Sequence, residues 1–189
     1  TILGHHGPGH LRRLATEHND LYRVTMQMYD YSLAHCRDHK SAGIAGRHGY
    51  EAIAMRHRWD LAVQTDRGQD VLDEMKLAMR EAGTREIRSY AALRLADFYY
   101  RTESHRKAAQ VFADLAAGRV HGRCSTYSLH KLKMAADETG DPAIAELLCT
   151  TAQEMLEQYK DELAAQASLD RVERLAAYTP NTPPKRMDQ

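Results

Sequence analysis

The stretch Leu95–Leu115, LADFYYRTESHRKAAQVFADL, carries two apolar helical stripes separated by a polar break. Tyr99 lies before the break and Ala108 after it, and Phe112 follows Ala108 by one helical turn. Residues three or four positions apart share one face of an α-helix. We therefore expect two helices joined by a short turn, with small alanines where the helices cross and aromatic rings filling the space beside the crossing.

The composition of the 189-residue chain indicates an all-α protein. The interior is rich in strong helix formers such as Ala, Leu, Met and Glu, while Val and Ile, the usual residues of strands, are scarce. Lys plus Arg balance Asp plus Glu at 26 each, so the basic surplus typical of nucleic-acid binding is missing. No apolar run approaches the ~18 residues of a membrane span. We expect no nucleic-acid or membrane partner.

The three cysteines are scattered and form no CxxC pair, which is typical of a reducing compartment and predicts a cytoplasmic protein. Glycine, proline and helical periodicity together divide the chain into four regions. These are a flexible N-terminus (1–9), an N-terminal helical region (10–55), helical hairpins ending in a long capping helix (56–167), and a short helix with a disordered proline-rich tail (168–189).

Within the N-terminal region, one long helix is expected over 10–39, followed by a break at the glycine-containing segment 40–49. Leu14, Leu21 and Met28 recur every seven positions and predict the buried seam of this helix. Further helices are expected to begin after the capping residues Thr84, Ser104, Ser125 and Ser168, and at Pro142.

The hairpin over 89–120 resembles a tetratricopeptide repeat, a helical pair with a fixed pattern of small and large residues. The residues that carry the resemblance are Ala92, Leu95, Ala96, Tyr99, Ala108, Phe112 and Leu115. A second unit repeats the spacing with Leu129, Leu132, Ala136, Ala145, Cys149 and Ala152. A weaker one precedes both with Trp59, Ala62, Val63, Met75, Met79 and Ala82, departing from the pattern at Asp66 and Met75.

The resemblance covers about residues 56–156 and implies antiparallel hairpins stacked as a short α-solenoid. A helical bundle is the alternative arrangement. In the resembled family the first helix of each pair lines a concave groove that binds a peptide or another protein, and the fold itself does no chemistry. The residues expected to face this groove are His57, Asp60, Gln64, Arg67, Tyr90, Asp97, Tyr100, Tyr127, His130 and Asp137.

The expected function is therefore that of a non-enzymatic adaptor, chaperone or regulatory binding module without a cofactor. Phosphate loops, nucleophile elbows and HExxH motifs are missing from the sequence. One alternative is metal binding, because His35 and His39 lie one helical turn apart among eleven histidines. A second alternative is a structural subunit in which the tyrosine-flanked helix 10–39 packs against another copy or a larger assembly.

Overall fold

The computed structural model describes residues 19–38 and 44–179, and all regular elements within these ranges are helical. The α-helices are α1 (Asn19–Asp38), α2 (Ile44–Gln64), α3 (Leu72–Glu81), α4 (Arg85–Arg101), α5 (His105–Ala116), α6 (Thr126–Thr139), α7 (Pro142–Ala165) and α8 (Leu169–Ala176). A 3-10 helix, Gly68–Val71, precedes α3. The expected all-α fold is confirmed. Among the described helices, none has the length and apolarity needed to cross a bilayer.

Helices begin at all five places that the sequence predicted, and a capping hydrogen bond forms at two of the four proposed capping residues. The hydroxyls of Thr84 and Ser125 each accept a hydrogen bond from the main-chain N–H three residues on, at 3.3 and 3.2 Å. Pro142 occupies the first turn of α7, where its missing N–H costs no hydrogen bond. Ser104 and Ser168 immediately precede α5 and α8, but their side chains make no capping bond.

The break expected at residues 40–49 was placed too far along the chain. Residues 39–43 lie outside the described part, and α2 already begins at Ile44, so Gly46 and Gly49 are inside the helix. Glycine costs roughly 1 kcal/mol in a helix interior. The second half of α2 offsets that cost because it buries Trp59 and Ala62 completely, at 0% exposure each.

The heptad seam predicted for the first helix was wrong at Met28, which is 46% exposed. Leu21 is half-buried, and the residues that α1 buries are Tyr22, Thr25, Met26 and Leu33. Leu14 lies outside the described residues. Apolar and aromatic residues occur on two opposite sides of α1, so spacing alone did not distinguish the side that packs against α2.

The chain divides into two compact units, with the boundary after Arg94 inside α4. In the first unit α1 packs against α2, and the 3-10 helix packs against both α2 and α3. Trp59, Val71 and Met75 are at most 1% exposed and form the centre of this unit. They supply this core with an indole, a small branched side chain and a flexible thioether.

In the second unit α5 contacts both α6 and α7, α6 contacts α7, and α7 contacts α8. Small side chains line these helices, and eight alanines are fully buried, namely Ala96, Ala108, Ala109, Ala113, Ala116, Ala135, Ala136 and Ala152. Alanine faces allow helix axes to approach to the short end of the usual 8–10 Å range. The positions of these buried alanines are compatible with antiparallel packing of neighbouring helices. The stacking of the hairpins into a solenoid remains a prediction.

Four helices end in the same left-handed turn. The residue that leaves each helix has a positive φ, at Asp66 (59°), Glu103 (55°), Gly118 (73°) and Ala167 (52°). The following residue donates its N–H to the carbonyl five positions back, at 2.8–2.9 Å. This is the Schellman arrangement, in which glycine is the favoured left-handed residue. Only Gly118 satisfies that preference among these four turns.

The turn at Gly118 is closely packed. A Cβ placed there would overlap the Tyr159 hydroxyl and would lie 3.0 Å from the carbonyl of Arg123. Tyr159 reaches this position from a bend in α7, where its own backbone leaves helical geometry (φ −129°, ψ 23°). Its hydroxyl lies 3.4 Å from the Ala117 carbonyl oxygen, a long and weak hydrogen bond.

Glu103→Gly is expected to stabilise the protein, because a left-handed conformation costs a residue with a Cβ about 1–2 kcal/mol. The greater freedom of glycine in the unfolded chain offsets part of that gain. We expect a net gain of about 0.5–1 kcal/mol, measured as an increase in the urea midpoint at constant slope. Thr102→Gly is the matched control and should lower the midpoint, since Thr102 lacks a positive φ.

Gly118→Ala is expected to destabilise the protein by about 2 kcal/mol or more, because it combines the left-handed penalty with steric overlap. Adding Tyr159→Phe should restore part of the loss, since it removes the oxygen that the new methyl group meets. Thermal or urea unfolding of the two variants checks this. An unchanged midpoint for Gly118→Ala would contradict the crowding described here.

Candidate peptide-binding surfaces

Asp60 and Tyr90, two of the residues expected in the groove, form an internal contact of the first unit. Asp60 is 8% exposed, and both of its carboxylate oxygens lie 2.8 Å from the Tyr90 hydroxyl, which donates to them. Arg94 Nε approaches the same carboxylate at 3.0 Å. Burial, followed by the hydrogen bond to Asp60, raises the pKa of Tyr90. The pair connects α2 to α4 from within the unit.

The ring of Tyr90 is enclosed as well. The guanidinium carbons of Arg56 and Arg94 lie 4.3 and 4.9 Å from its centroid, and the ring of Trp59 stacks at 6.5 Å. Cation–π contacts of this kind are worth about 0.5–2 kcal/mol each, depending on desolvation. Both the hydroxyl and the ring of Tyr90 therefore already contact neighbouring residues, and we assign Tyr90 a structural role in this unit.

The other three expected residues of the first unit also contact neighbouring side chains or are half-buried. His57 stacks on Tyr29 with centroids 6.2 Å apart, and Gln64 is half-buried. The Arg67 guanidinium lies 4.4 Å from the centre of the Tyr22 ring. These contacts leave Arg67 and His57 only partly available to a ligand.

Tyr22 anchors α1 to the 3-10 helix. It is 5% exposed, and its hydroxyl donates a hydrogen bond to Asp70 Oδ2 at 3.1 Å. Burial is the main reason that the pKa of Tyr22 rises to about 12, and the Asp70 carboxylate adds to it. Ionising this tyrosine inside the folded unit is therefore unfavourable.

A cleft of about 630 Å³ opens within the first unit between α1, α2, α3 and the start of α4. Its apolar lining is Leu33, Ala34, Met55, Leu77, Ala78, Ala82 and Ile87. The polar side contains Asp30, Arg58, Glu74 and Glu81. A recess of this volume falls in the range of small-ligand and side-chain pockets.

Three of the four charged residues beside the cleft are already joined to one another. Arg58 pairs with Asp30 at 2.8 Å and also with Glu74, and the other Glu74 oxygen accepts from the Trp59 indole N–H at 3.0 Å. The Arg58 side chain is only 15% exposed. The sequence did not reveal this cleft, because its lining comes from four segments and follows no pattern within any one of them.

In the second unit, the expected residues on α4 are half-buried. Asp97 and Tyr100 lie beyond the unit boundary, and the ring of Tyr100 meets the ring of His105 edge-on at 5.1 Å. This aromatic contact spans the turn between α4 and α5. It gives Tyr100 a structural role in closing that turn.

Of the three expected residues on α6, Tyr127 and Asp137 are exposed and His130 is half-buried. Tyr127, His130 and Asp137 follow one another at helical spacing on the side of α6 opposite its buried residues. Tyr127 is 58% exposed, and Met134, which the sequence analysis missed, lies between them at 43% exposed. We call Tyr127, His130, Met134 and Asp137 the α6 stripe.

Charged groups surround the α6 stripe. The ammonium of Lys131 lies 5.7 Å from the centre of the Tyr127 ring. Asp137 pairs with Lys133 and accepts a 2.6 Å hydrogen bond from the Tyr178 hydroxyl. Burial opposes ionisation of Asp137, but the hydrogen bonds from Lys133 and Tyr178 outweigh it and lower its pKa. The carboxylate therefore stays charged and fixed at one end of the stripe.

Metal binding gains no support from the described residues. Throughout residues 19–38 and 44–179, no three His, Cys, Asp or Glu side chains converge in a way that could hold a metal ion. His35 is exposed and stacks on Tyr31 with centroids 6.0 Å apart. His39, its expected partner, lies outside the described residues.

Comparison with other proteins adds no relative to this description. No protein-family model matches the chain, and neither the curated proteins nor the solved structures contain a significant match. The candidate surfaces therefore rest on their own geometry.

The raised pKa of Tyr22 predicts a loss of stability in alkali. Between about pH 10 and pH 12 the unfolded chain releases the Tyr22 proton while the folded unit retains it, so the free energy of unfolding falls as pH rises. Tyr22→Phe should reduce this decline, and should cost about 1 kcal/mol at neutral pH through the lost hydrogen bond. Urea unfolding of both proteins from about pH 8 to pH 11 tests it. If the free energy of unfolding fell equally with pH in both proteins, that result would contradict the burial of the Tyr22 hydroxyl.

Proposed function

We propose that this chain is a non-enzymatic protein- or peptide-binding module, acting in the cytoplasm as an adaptor, chaperone or regulatory subunit. The tetratricopeptide-like pairing of its helices, with a groove formed by stacked hairpins, is part of the same proposal. The observation that carries it is the α6 stripe, where an aromatic ring and a methionine occupy the solvent side of a helix whose opposite side is fully packed.

The composition of the stripe supports peptide recognition. Tyrosine and methionine are enriched at protein interfaces because they bury large areas with adaptable shapes. Tyr127 and Met134 lie two helical turns apart, about 10 Å along the axis. A bound segment would therefore present two apolar side chains at that separation, as one side of an amphipathic helix does.

The charges around the stripe constrain the partner further. Lys131 stands beside Tyr127, so an acidic group of the partner is favoured at that end. The Asp137 carboxylate at the other end is already held by Lys133 and Tyr178, so it sets no charge requirement on the partner. The preferred ligand is thus an amphipathic peptide with an acidic residue near the apolar side chain that contacts Tyr127.

A selection from a peptide library on the purified protein tests this function. Peptides that bind the wild-type chain should lose about tenfold or more in affinity with Tyr127→Ala and with Met134→Ala, since central aromatic and apolar anchors dominate such interfaces. Titration calorimetry or fluorescence anisotropy gives the affinities. Circular dichroism confirms that these exposed substitutions leave the fold intact.

Leu77→Ala is the matched control, because Leu77 is similarly exposed (49%) but lies in the cleft of the first unit. It should leave the affinity of the selected peptides unchanged. Peptides that tolerate both α6 variants and fail with Leu77→Ala would assign recognition to the cleft. A library that yields no binder at all would overturn the proposed function.

A further inference from the structure

The cleft of the first unit has the composition of a small-molecule site. Seven of its thirteen lining residues are apolar, so most of its surface gains from contact with an apolar group. Of these, Leu33, Met55 and Ile87 are buried in the walls, whereas Leu77 is exposed. Ligand pockets combine such an apolar lining with a few polar groups that orient the ligand.

Side-chain ion pairs, rather than close helix packing, join the two sides of this cleft. Within the described helices, α1 packs closely against α2 but not against α3. Arg58 projects from α2 and pairs with Asp30 of α1 and with Glu74 of α3. The rigid guanidinium group fixes both carboxylates relative to α2. The apolar lining beside these pairs stays open to solvent.

The charged rim of the cleft is negative. The carboxylates of Asp30, Glu74 and Glu81 border it together with one guanidinium, that of Arg58, and these four groups have a net charge of −2. Arg58 already divides its positive charge between Asp30 and Glu74. Glu81 is exposed, and among the described residues it has no ion pair or hydrogen bond. The rim therefore offers a carboxylate to a cation of a ligand.

The cation on the α4 side of the cleft is directed at the main chain. Arg88 donates a 2.7 Å hydrogen bond to the Ala82 carbonyl, and its side chain is not among the groups that line the cleft. The neighbouring lining residues, Gly83 and Thr84, carry no charge. Low-dielectric walls strengthen the field of the rim carboxylates inside the recess, which favours cations and disfavours anions there.

We propose that this cleft binds a small organic molecule that carries a primary or secondary ammonium group on an apolar body. The ammonium group lies beside Glu81 and donates N–H hydrogen bonds to its carboxylate, which are roughly twice as strong as those between neutral groups. The apolar body covers Leu77 and Met55. The described lining contains no aromatic ring, so the cation–π contacts that select quaternary ammonium ions are missing and an N–H donor is preferred.

Octylammonium is the probe, and the single tryptophan of the chain reports its binding. Trp59 is completely buried, and its indole N–H donates to Glu74 Oε1 at 3.0 Å, so a cation at the rim changes the surroundings of the indole. Titration of the full chain should give a saturable change in tryptophan fluorescence. Octanoate, which has the same chain length and the opposite charge, should bind about tenfold or more weakly. Ethylammonium, which lacks the apolar body, should give no saturable change in the same range.

Replacing the rim carboxylate tests the position of the ammonium group. Glu81→Gln should lower the affinity for octylammonium about three- to fivefold, a modest effect because solvent screens an exposed carboxylate. Glu138→Gln is the matched control, since Glu138 is also exposed but lies on α6, and it should leave the affinity unchanged.

Gly83 allows a second test that does not disturb packing, because a Cβ placed there meets no atom within 4 Å. Gly83→Lys brings a cation to the rim and should weaken octylammonium binding severalfold. Gly83→Glu adds a carboxylate at the same position and should strengthen it. Circular dichroism checks that both variants keep the fold.

Three results would overturn the proposal. These are the lack of a saturable response to octylammonium in both fluorescence and calorimetry, equal affinity for octylammonium and octanoate, and equal effects of Glu81→Gln and Glu138→Gln. The last two are the results expected when an alkyl chain adsorbs without a charge-selective site. Tyr127→Ala should leave octylammonium binding unchanged, so the ammonium site and the peptide-binding function of the α6 stripe are tested independently.

Discussion

The close approach of helices across buried alanines is the constraint on which the second unit depends. Because a methyl group occupies little space, α5, α6 and α7 can each contact the others, and the larger leucines and methionines fill the layers between them. Each helix contributes only a narrow stripe of its residues to this core. What lies on the remaining surface is then not determined by packing, and an aligned apolar row there, as on α6, needs a separate explanation.

The first unit is held together differently. Its helices are joined by partly buried polar contacts: Tyr22 with Asp70, Asp60 with Tyr90, and Arg58 with Glu74. Such contacts add modest stability when complete, but breaking one leaves a buried polar group unpaired, which costs more than the contact contributed. For this reason, residues such as Asp60 and Tyr90, which the sequence predicted to bind a ligand, instead hold the helices of this unit together.

The α6 stripe shows how a helix of this unit can present apolar groups away from its core. Tyr127 and Met134 lie on the side of α6 opposite its buried residues. Lys131 stands beside Tyr127 at one end, and the Asp137 carboxylate is held by Lys133 and Tyr178 at the other.

The sequence by itself determined the all-α fold, most helix boundaries, and the caps at Thr84 and Ser125. These follow from interactions among residues a few positions apart, which helical periodicity and capping chemistry record directly. Tertiary structure alone decided that Met28 faces outward, that Asp60 is buried against Tyr90, and that Arg58 and Glu74 border a cleft. The spacing of apolar residues on a helix is the same whether a stripe meets a core or the solvent. The residues that bury one stripe and leave another exposed come from distant parts of the chain. A local sequence pattern therefore does not indicate them.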